Sequence, residues 1–196
     1  KTTTLSMLAT LLKPTGGTAE VDGHDVKREP SAVRRSIGIV FQDPSSDEIL
    51  TGKENLYLHA LMYGVDNSIR EQRIGEVLRL VDLEDRANSL VKTYSGGMRR
   101  RLELARGLLH KPKILFLDAP TLGLDPQTRE HIWQYIRRLV DQEGVTIILT
   151  THYMDEAERL CDRVAIIDDG KIVALDTPEQ LKQIIGGDII RLRIKN

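Results

Sequence analysis

Three apolar runs decide most of what this chain can fold into: "SIGIVFQ" from Ser36, "KILFLD" from Lys113 and "VTIILTTH" from Val145. None alternates apolar with polar residues, so none leaves a face for water. Continuous strands of this kind belong to a parallel sheet covered by helices on both faces. The stretches between them supply such helices. "HIWQYIRRLV" puts Ile132, Tyr135, Ile136, Leu139 and Val140 on one face, and Gly144 closes it. "KTTTLSMLATLLKP" aligns Leu5, Leu8 and Leu12 in a helix that Pro14 should stop. "SGGMRRRLELARGLLH" predicts a helix starting at Ser95 and ending near Pro112. The fold class is therefore α/β.

Two further patterns complete the outline. "AEVDGHDV" and "VAIIDDGKIVAL" are hairpin signals, because Asp22-Gly23 and Asp169-Gly170 supply the positive φ angles of tight turns. From about Thr51 to Tyr94 the chain turns helical, with Ile74, Val77, Leu78 and Val81 forming a stripe. That reads as a helical subdomain (51–95) inserted in the α/β framework. The tail "GGDIIRLRIKN" reads as the start of another strand, and residues 186–196 as the start of a C-terminal extension. A formal net charge of −1 gives no reason to expect nucleic acid as a partner. The single cysteine, Cys161, excludes an internal disulfide and a cysteine-based metal cluster. No apolar run approaches the roughly 20 residues that span a bilayer. The chain opens on Lys1 without an initiator Met, which suggests a start inside a longer protein.

Several polar residues stand where a parallel sheet binds ligands, at the carboxyl ends of its strands. Asp118 ends "ILFLD", where a carboxylate can hold Mg²⁺ through its waters; a strand-end acid in a turn is the plainer alternative. Gln42 follows "IVF", where an amide can ligate a metal and orient a water, or simply meet solvent. His152 follows "ILTT" at the same edge, and a lone histidine is more often structural. Lys1 and Thr2 open a helix as half of the phosphate-loop pattern G-x-x-x-x-G-K-[ST], whose glycine half would lie before Lys1. Taken alone, that pair is better explained by a bland N-terminal helix. Ser95 can cap a helix whose start includes Gly96 and Gly97, and exposed amides there attract phosphate. The arginines that follow would ordinarily be a solvated face. Asp125 lies beside a helix start, where capping alone would account for it.

The order of these pieces is more specific than any one of them. Lysine-threonine, "VFQ", "YSGGM", "ILFLDAPT", "GLDP" and "LTTH" follow one another as in the ATP-binding-cassette (ABC) ATPases, and the resemblance covers essentially the whole chain. "LTGKENLYLHALMYG", "RRRLELARGLLHKPKILFLD" and "THYMDEAERLCDRVAIIDDGKIVALDTPEQLK" resemble the ATPase subunits of drug exporters of the daunorubicin-resistance type. The resemblance implies a P-loop NTPase fold over residues 1–185 with the helical subdomain inserted.

It also implies roles. Lys1 would contact the β- and γ-phosphates of ATP, Thr2 the Mg²⁺, and Thr3 a phosphate oxygen. Gln42 would reach the metal and the attacking water. Asp118 would hold Mg²⁺ and His152 would contact the γ-phosphate. Ser95, Gly96 and Gly97 would bind ATP held by a second copy, and Asp125 would touch that copy. A transmembrane permease subunit and a homodimer, or a paired second ATPase domain, are the implied partners, at the cytoplasmic face of the cell membrane. The chain departs from the family pattern at Ala119, which occupies the place of the glutamate that polarises the attacking water. Met98 stands where many members have glutamine. Two readings follow: an ATP-hydrolysing subunit of an exporter, and a nucleotide-binding switch module with hydrolysis disabled by Ala119.

Overall fold

The computed structural model describes residues 1–185; the tail that reads as a further strand lies outside the described residues. Lys1–His152 forms one compact unit, and a second begins at Tyr153.

The first unit runs α1 (Thr2–Leu8), β1 (Glu20–Val21), β2 (His24–Asp25), α2 (Pro30–Ser36), β3 (Ile37–Val40), α3 (Gly52–Met62) and α4 (Asn67–Leu80). It continues with α5 (Gly96–Leu108), β4 (Ile114–Asp118), α6 (Pro126–Glu143) and β5 (Thr146–Thr150). The three apolar runs form one parallel sheet in the order β3-β4-β5. In register, Val40 pairs with Leu117 and Asp118 with Thr150, so all three strands end at one edge. Leu115, Phe116 and Leu117 are fully buried, as a two-sided strand requires, whereas β5 departs from the expectation of burial on both faces, with Ile148 39% exposed. Leu5, Ala9, Val33, Ile37 and Phe116 form a core cluster that joins α1 and α2 to the sheet.

Where α5 crosses β3, two glycines meet. A Cβ on Gly38 would sit 2.1 Å from the carbonyl oxygen of Gly107, so only glycine permits this approach.

Both predicted hairpins form. Asp22 and Gly23 turn β1 into β2 at φ 53° and 77°. The second hairpin belongs to the later unit, which contains α7 (Met154–Leu160), β6 (Val164–Asp168), β7 (Lys171–Asp176) and α8 (Pro178–Ile185). Asp169 and Gly170 link β6 to β7 at φ 44° and 75°.

The helical insertion also forms. The stripe Ile74, Val77, Leu78 and Val81 is buried, with Leu56 and Ala60 of α3 buried alongside it. Thr51 starts α3 with a capping box: its side chain accepts from the Glu54 amide, and the Glu54 carboxylate accepts from the Thr51 amide at 2.8 Å. The entry and exit of the excursion are clasped to each other. Val91 N–H donates to Leu50 O at 2.9 Å, Lys92 N–H to Glu48 O at 3.0 Å, and Lys53 N–H to Ala87 O at 2.8 Å.

Three boundaries differ from the sequence reading. Helix α1 stops at Leu8, well before Pro14. Thr10 adopts φ 63°, its amide donates to Met7 O, and the amide of Leu11 donates to Ser6 O. That is a Schellman termination with threonine in the place glycine usually takes. Strand β3 ends at Val40, leaving Gln42 in an exposed bend rather than in the strand. Helix α5 ends at Leu108, a turn before Pro112. Helix α2 had no apolar stripe to announce it; Val33 is its one fully buried apolar residue.

Candidate functional site

The strand-end edge brings the start of the chain onto Asp118. Thr2, on the first turn of α1, donates from Oγ1 to Asp118 Oδ1 at 3.2 Å. Thr150, beside Asp118 in the sheet, donates to the same oxygen at 2.5 Å. Lys1 Nζ donates to the carbonyl of Thr151 at 2.8 Å, and His152 follows, exposed, at the same edge. Asp118 is only 5% exposed, so its carboxylate is held in place while Lys1, Thr2 and Thr3 remain open to solvent. Ala119 comes next with φ 45°, and its amide donates to the carbonyl and hydroxyl of Thr150. Alanine in the left-handed region costs about 1–2 kcal/mol, so the turn after Asp118 is strained at the residue that departs from the family pattern.

Ser95, Gly96, Gly97 and Asp125 gather in a second group, where the first turns of α5 and α6 abut. Ser95 caps α5 by accepting from the Met98 amide at 3.2 Å. Asp125 caps α6, accepting from the Thr128 amide at 3.0 Å and its hydroxyl at 2.6 Å. Those bonds, the hydroxyl's first, hold the Asp125 carboxyl below its ordinary pKa. A Cβ on Gly97 would lie 2.6 Å from Cγ2 of Thr128, so Gly97 is what lets the two helix starts close together. Ser95 and Gly97 border a cavity of about 300 Å³ whose other walls include Met98, Arg101, Thr128 and Tyr135.

Reasoning on the sequence missed several participants. Arg100 sits in a run of arginines that read as a solvated face, yet it is 6% exposed. Its Nε donates to Pro120 O at 2.6 Å and its Nη2 to Asp118 O at 3.2 Å, and Nη1 donates to Phe41 O. The missed signal was helical spacing: Arg100 shares a face with the buried Leu104 and Leu108. Thr150 and Thr151 lie inside a strand signal and Glu103 inside a helix signal, so none of them stands out in the sequence.

The donors around Asp118 suit Mg²⁺. A hydroxyl and a carboxylate stand within hydrogen-bonding reach, both hard oxygen ligands. Among the described residues no group of three or more His, Cys, Asp or Glu could hold a metal by itself. Mg²⁺ commonly takes one or two carboxylates and completes its shell with water and substrate phosphate, so a sparse oxygen set fits. Among the described residues, no helix is long and apolar enough to cross a membrane.

Comparison with known proteins gives a consistent result. A family model described as ABC transporter matches residues 1–122. The daunorubicin/doxorubicin resistance ATP-binding protein DrrA of Streptomyces peucetius is 48% identical over 99% of this chain and 58% of its own length. The linearmycin resistance ATP-binding protein LnrL of Bacillus subtilis is 41% identical over 97% of this chain and 61% of its own. The chain thus spans about three fifths of the curated relatives it matches. Among solved structures, a dimeric ATP-binding cassette bound to ADP and Pi is 30% identical, with a TM-score of 0.79 over 90% of this chain and 80% of that one. cbiO1 from Clostridium perfringens, part of the ABC transporter complex cbiONQ, is 26% identical, with a TM-score of 0.85 over 93% of this chain and 74% of that one.

Proposed function

The chain belongs to the ABC transporter family, and from that premise we propose that it is the ATP-binding and ATP-hydrolysing subunit of a drug-resistance-type exporter, working with a transmembrane permease subunit at the cytoplasmic face of the membrane. The observation that carries this reading is the meeting of Lys1 and Thr2 with Thr151 and Asp118 at one sheet edge.

In this reading Lys1 exchanges its bond to the Thr151 carbonyl for the β- and γ-phosphates of ATP. Thr3 donates to a phosphate oxygen. Thr2 and Asp118 hold Mg²⁺, which supplies charge neutralisation for the phosphates when bound. Gln42 reaches the metal and orients the attacking water, and His152 contacts the γ-phosphate. Phosphoryl transfer asks for positioning and charge stabilisation more than covalent help, and this set of residues offers both. Ser95, Gly96 and Gly97 serve ATP held by a second copy, with Asp125 at the seam. An isologous dimer of that kind completes both sites together. The relatives named for drug resistance support the exporter class, and the dimeric cassette supports the pairing.

Ala119 favours a second reading, a nucleotide-binding switch that turns over very slowly. Its methyl group cannot accept a hydrogen bond or a proton, so water at the γ-phosphate lacks an orienting acceptor there. A positioned general base contributes about 10²–10⁴-fold. The deciding experiment measures phosphate release under saturating ATP–Mg²⁺ in the full-length protein and its Ala119→Glu variant. Acceleration by that factor in the variant establishes the site and the deficit together. Equal, substantial rates show that position 119 plays no catalytic part here, and absence of ATP binding in both sinks the proposal.

A further inference from the structure

Two buried side chains of α5 grip the segment around Gln42 from both sides. The guanidinium of Arg100 holds Phe41 O on one side and the Asp118 and Pro120 carbonyls on the other. Glu103, 5% exposed and one turn on, accepts from the amides of Ser45 at 3.2 Å and Ser46 at 2.8 Å, and from the Ser45 hydroxyl at 3.1 Å. Arg106 closes the group, donating to both Glu103 oxygens at 3.0 and 2.9 Å and to Ser45 Oγ at 2.8 Å. Gln42 therefore lies on a short irregular span whose two ends are fastened to one helix.

The choice of arginine matters. Its planar fork presents donors in fixed directions, so three carbonyls bound to it take one relative arrangement. A lysine carries the same charge as a single rotatable point and cannot reproduce that spacing. The three acceptors are the residue before Gln42, the metal-edge aspartate itself, and the residue after Ala119. Helix α5 begins at Ser95 and Gly97, little more than a turn before Arg100.

We propose that Arg100 is a positioning residue, which sets the distance between the Gln42 span and the Asp118–Pro120 turn and ties that distance to the placement of α5. Glu103 completes the device by holding Ser45 and Ser46. A ligand engaging Ser95 and Gly97 then acts on Asp118 and Gln42 through one rigid helix, which makes α5 the link between the two groups of site residues. The inference rests on the reading of Thr2 and Asp118 as a metal–nucleotide site.

The test uses the full-length protein, Arg100→Lys and Glu103→Gln. Thermal unfolding reports folding, hydrogen exchange without nucleotide reports residues 43–46, and electron paramagnetic resonance reports Mn²⁺ affinity at saturating ATP. Arg100→Lys should weaken Mn²⁺ binding about tenfold, the loss of roughly one charge-assisted hydrogen bond, with metal-free ATP affinity changed less than about twofold. Glu103→Gln should speed exchange in 43–46 about tenfold. If the parent binds Mn²⁺–ATP and Arg100→Lys binds it equally well, the inference is overturned while the site reading stands. If the parent binds none, the site reading fails, and so does the metal-directed role built on it. Should Arg100→Lys not fold, Glu103→Gln decides: unchanged exchange in 43–46 together with unchanged Mn²⁺ affinity refutes the clamp.

Discussion

The Thr2 hydroxyl donates to Asp118 Oδ1 across 3.2 Å, joining the first turn of α1 to the last residue of β4. That oxygen also accepts from Thr150, and the Thr150 hydroxyl in turn accepts from the Ala119 amide. Thr150→Val keeps the shape and removes both bonds. Hydrogen bonds to charged groups contribute about 1.5–3 kcal/mol, and the Ala119 amide keeps its bond to the Thr150 carbonyl. The variant should lose about 2 kcal/mol in urea unfolding. A loss below about 0.5 kcal/mol would show the Thr150 bond to be incidental.

The glycine pair under α5 separates two kinds of crowding. Gly38→Ala drives a methyl group into a backbone carbonyl, which cannot move aside, and should cost about 3 kcal/mol or more. Gly107→Ala meets side-chain atoms of Val40 and Leu115 at 3.0 and 3.1 Å, a milder crowding than a backbone clash. Its helix propensity gain of about 1 kcal/mol offsets the contact. Denaturant midpoints should therefore fall steeply for the first variant and little for the second.

Acid should loosen the join between α3 and α5. Burial lowers the His59 pKa to about 4, Arg106 and His110 push the same way, and Glu103 opposes them. The ring of Tyr63 lies between His59 and His110, at centroid distances of 4.7 and 4.0 Å. Burial also lowers the pKa of His110, against the raising effect of the Ile37 carbonyl that its ring N–H meets at 2.8 Å. The folded state thus excludes a proton that the unfolded chain accepts. Stability from His59 is complete above about pH 6.5 and declines as pH falls toward 4. Allowing for its partial exposure, the loss is about 2 kcal/mol. His59→Gln should flatten that part of the stability curve, measured by urea unfolding at pH 7, 5.5 and 4.5.

Ala119→Gly probes the turn after Asp118. Glycine removes the cost of a left-handed Cβ, about 1–2 kcal/mol, and adds unfolded-state entropy of about 0.5–1 kcal/mol. The variant should match or slightly exceed the parent in thermal stability, whereas Ala105→Gly in mid-helix should lower it by about 1 kcal/mol. A clear loss at position 119 would mean that the Ala119 methyl packs in a way that outweighs its φ of 45°.

Elements with an uninterrupted physical signal were legible from the chain alone. Leu115, Phe116 and Leu117 announced a buried strand, Asp22-Gly23 a tight turn, and Ser95 and Asp125 two helix starts. The sequence overextends helix α1 because Leu12 continues the spacing of Leu5 and Leu8, while the backbone turns left-handed at Thr10, a residue that gives no warning of it. The residues lying together at the strand ends could be listed in order, but their bonds could not. Thr2 and Asp118 lie 116 positions apart, and no local pattern encodes a contact of that reach. Arg100 was obscured by its neighbours, since composition weighs three adjacent arginines alike while the helix turns one of them inward.

The clasp between residues 48–53 and 87–92 carries a consequence for how such chains diversify. Its hydrogen bonds close the excursion at its base, and Arg73 and Tyr63 add contacts to the end of α5 and to His110. Residues added or removed in the connection between α3 and α4 after Tyr63, whose ring stacks on His110, change a closed loop whose ends are already fastened. Doubling such a loop costs only about 0.6 kcal/mol. Length can thus change at residues 64–66 while Asp118 and Thr2 keep their geometry, and variation in length among relatives should concentrate there.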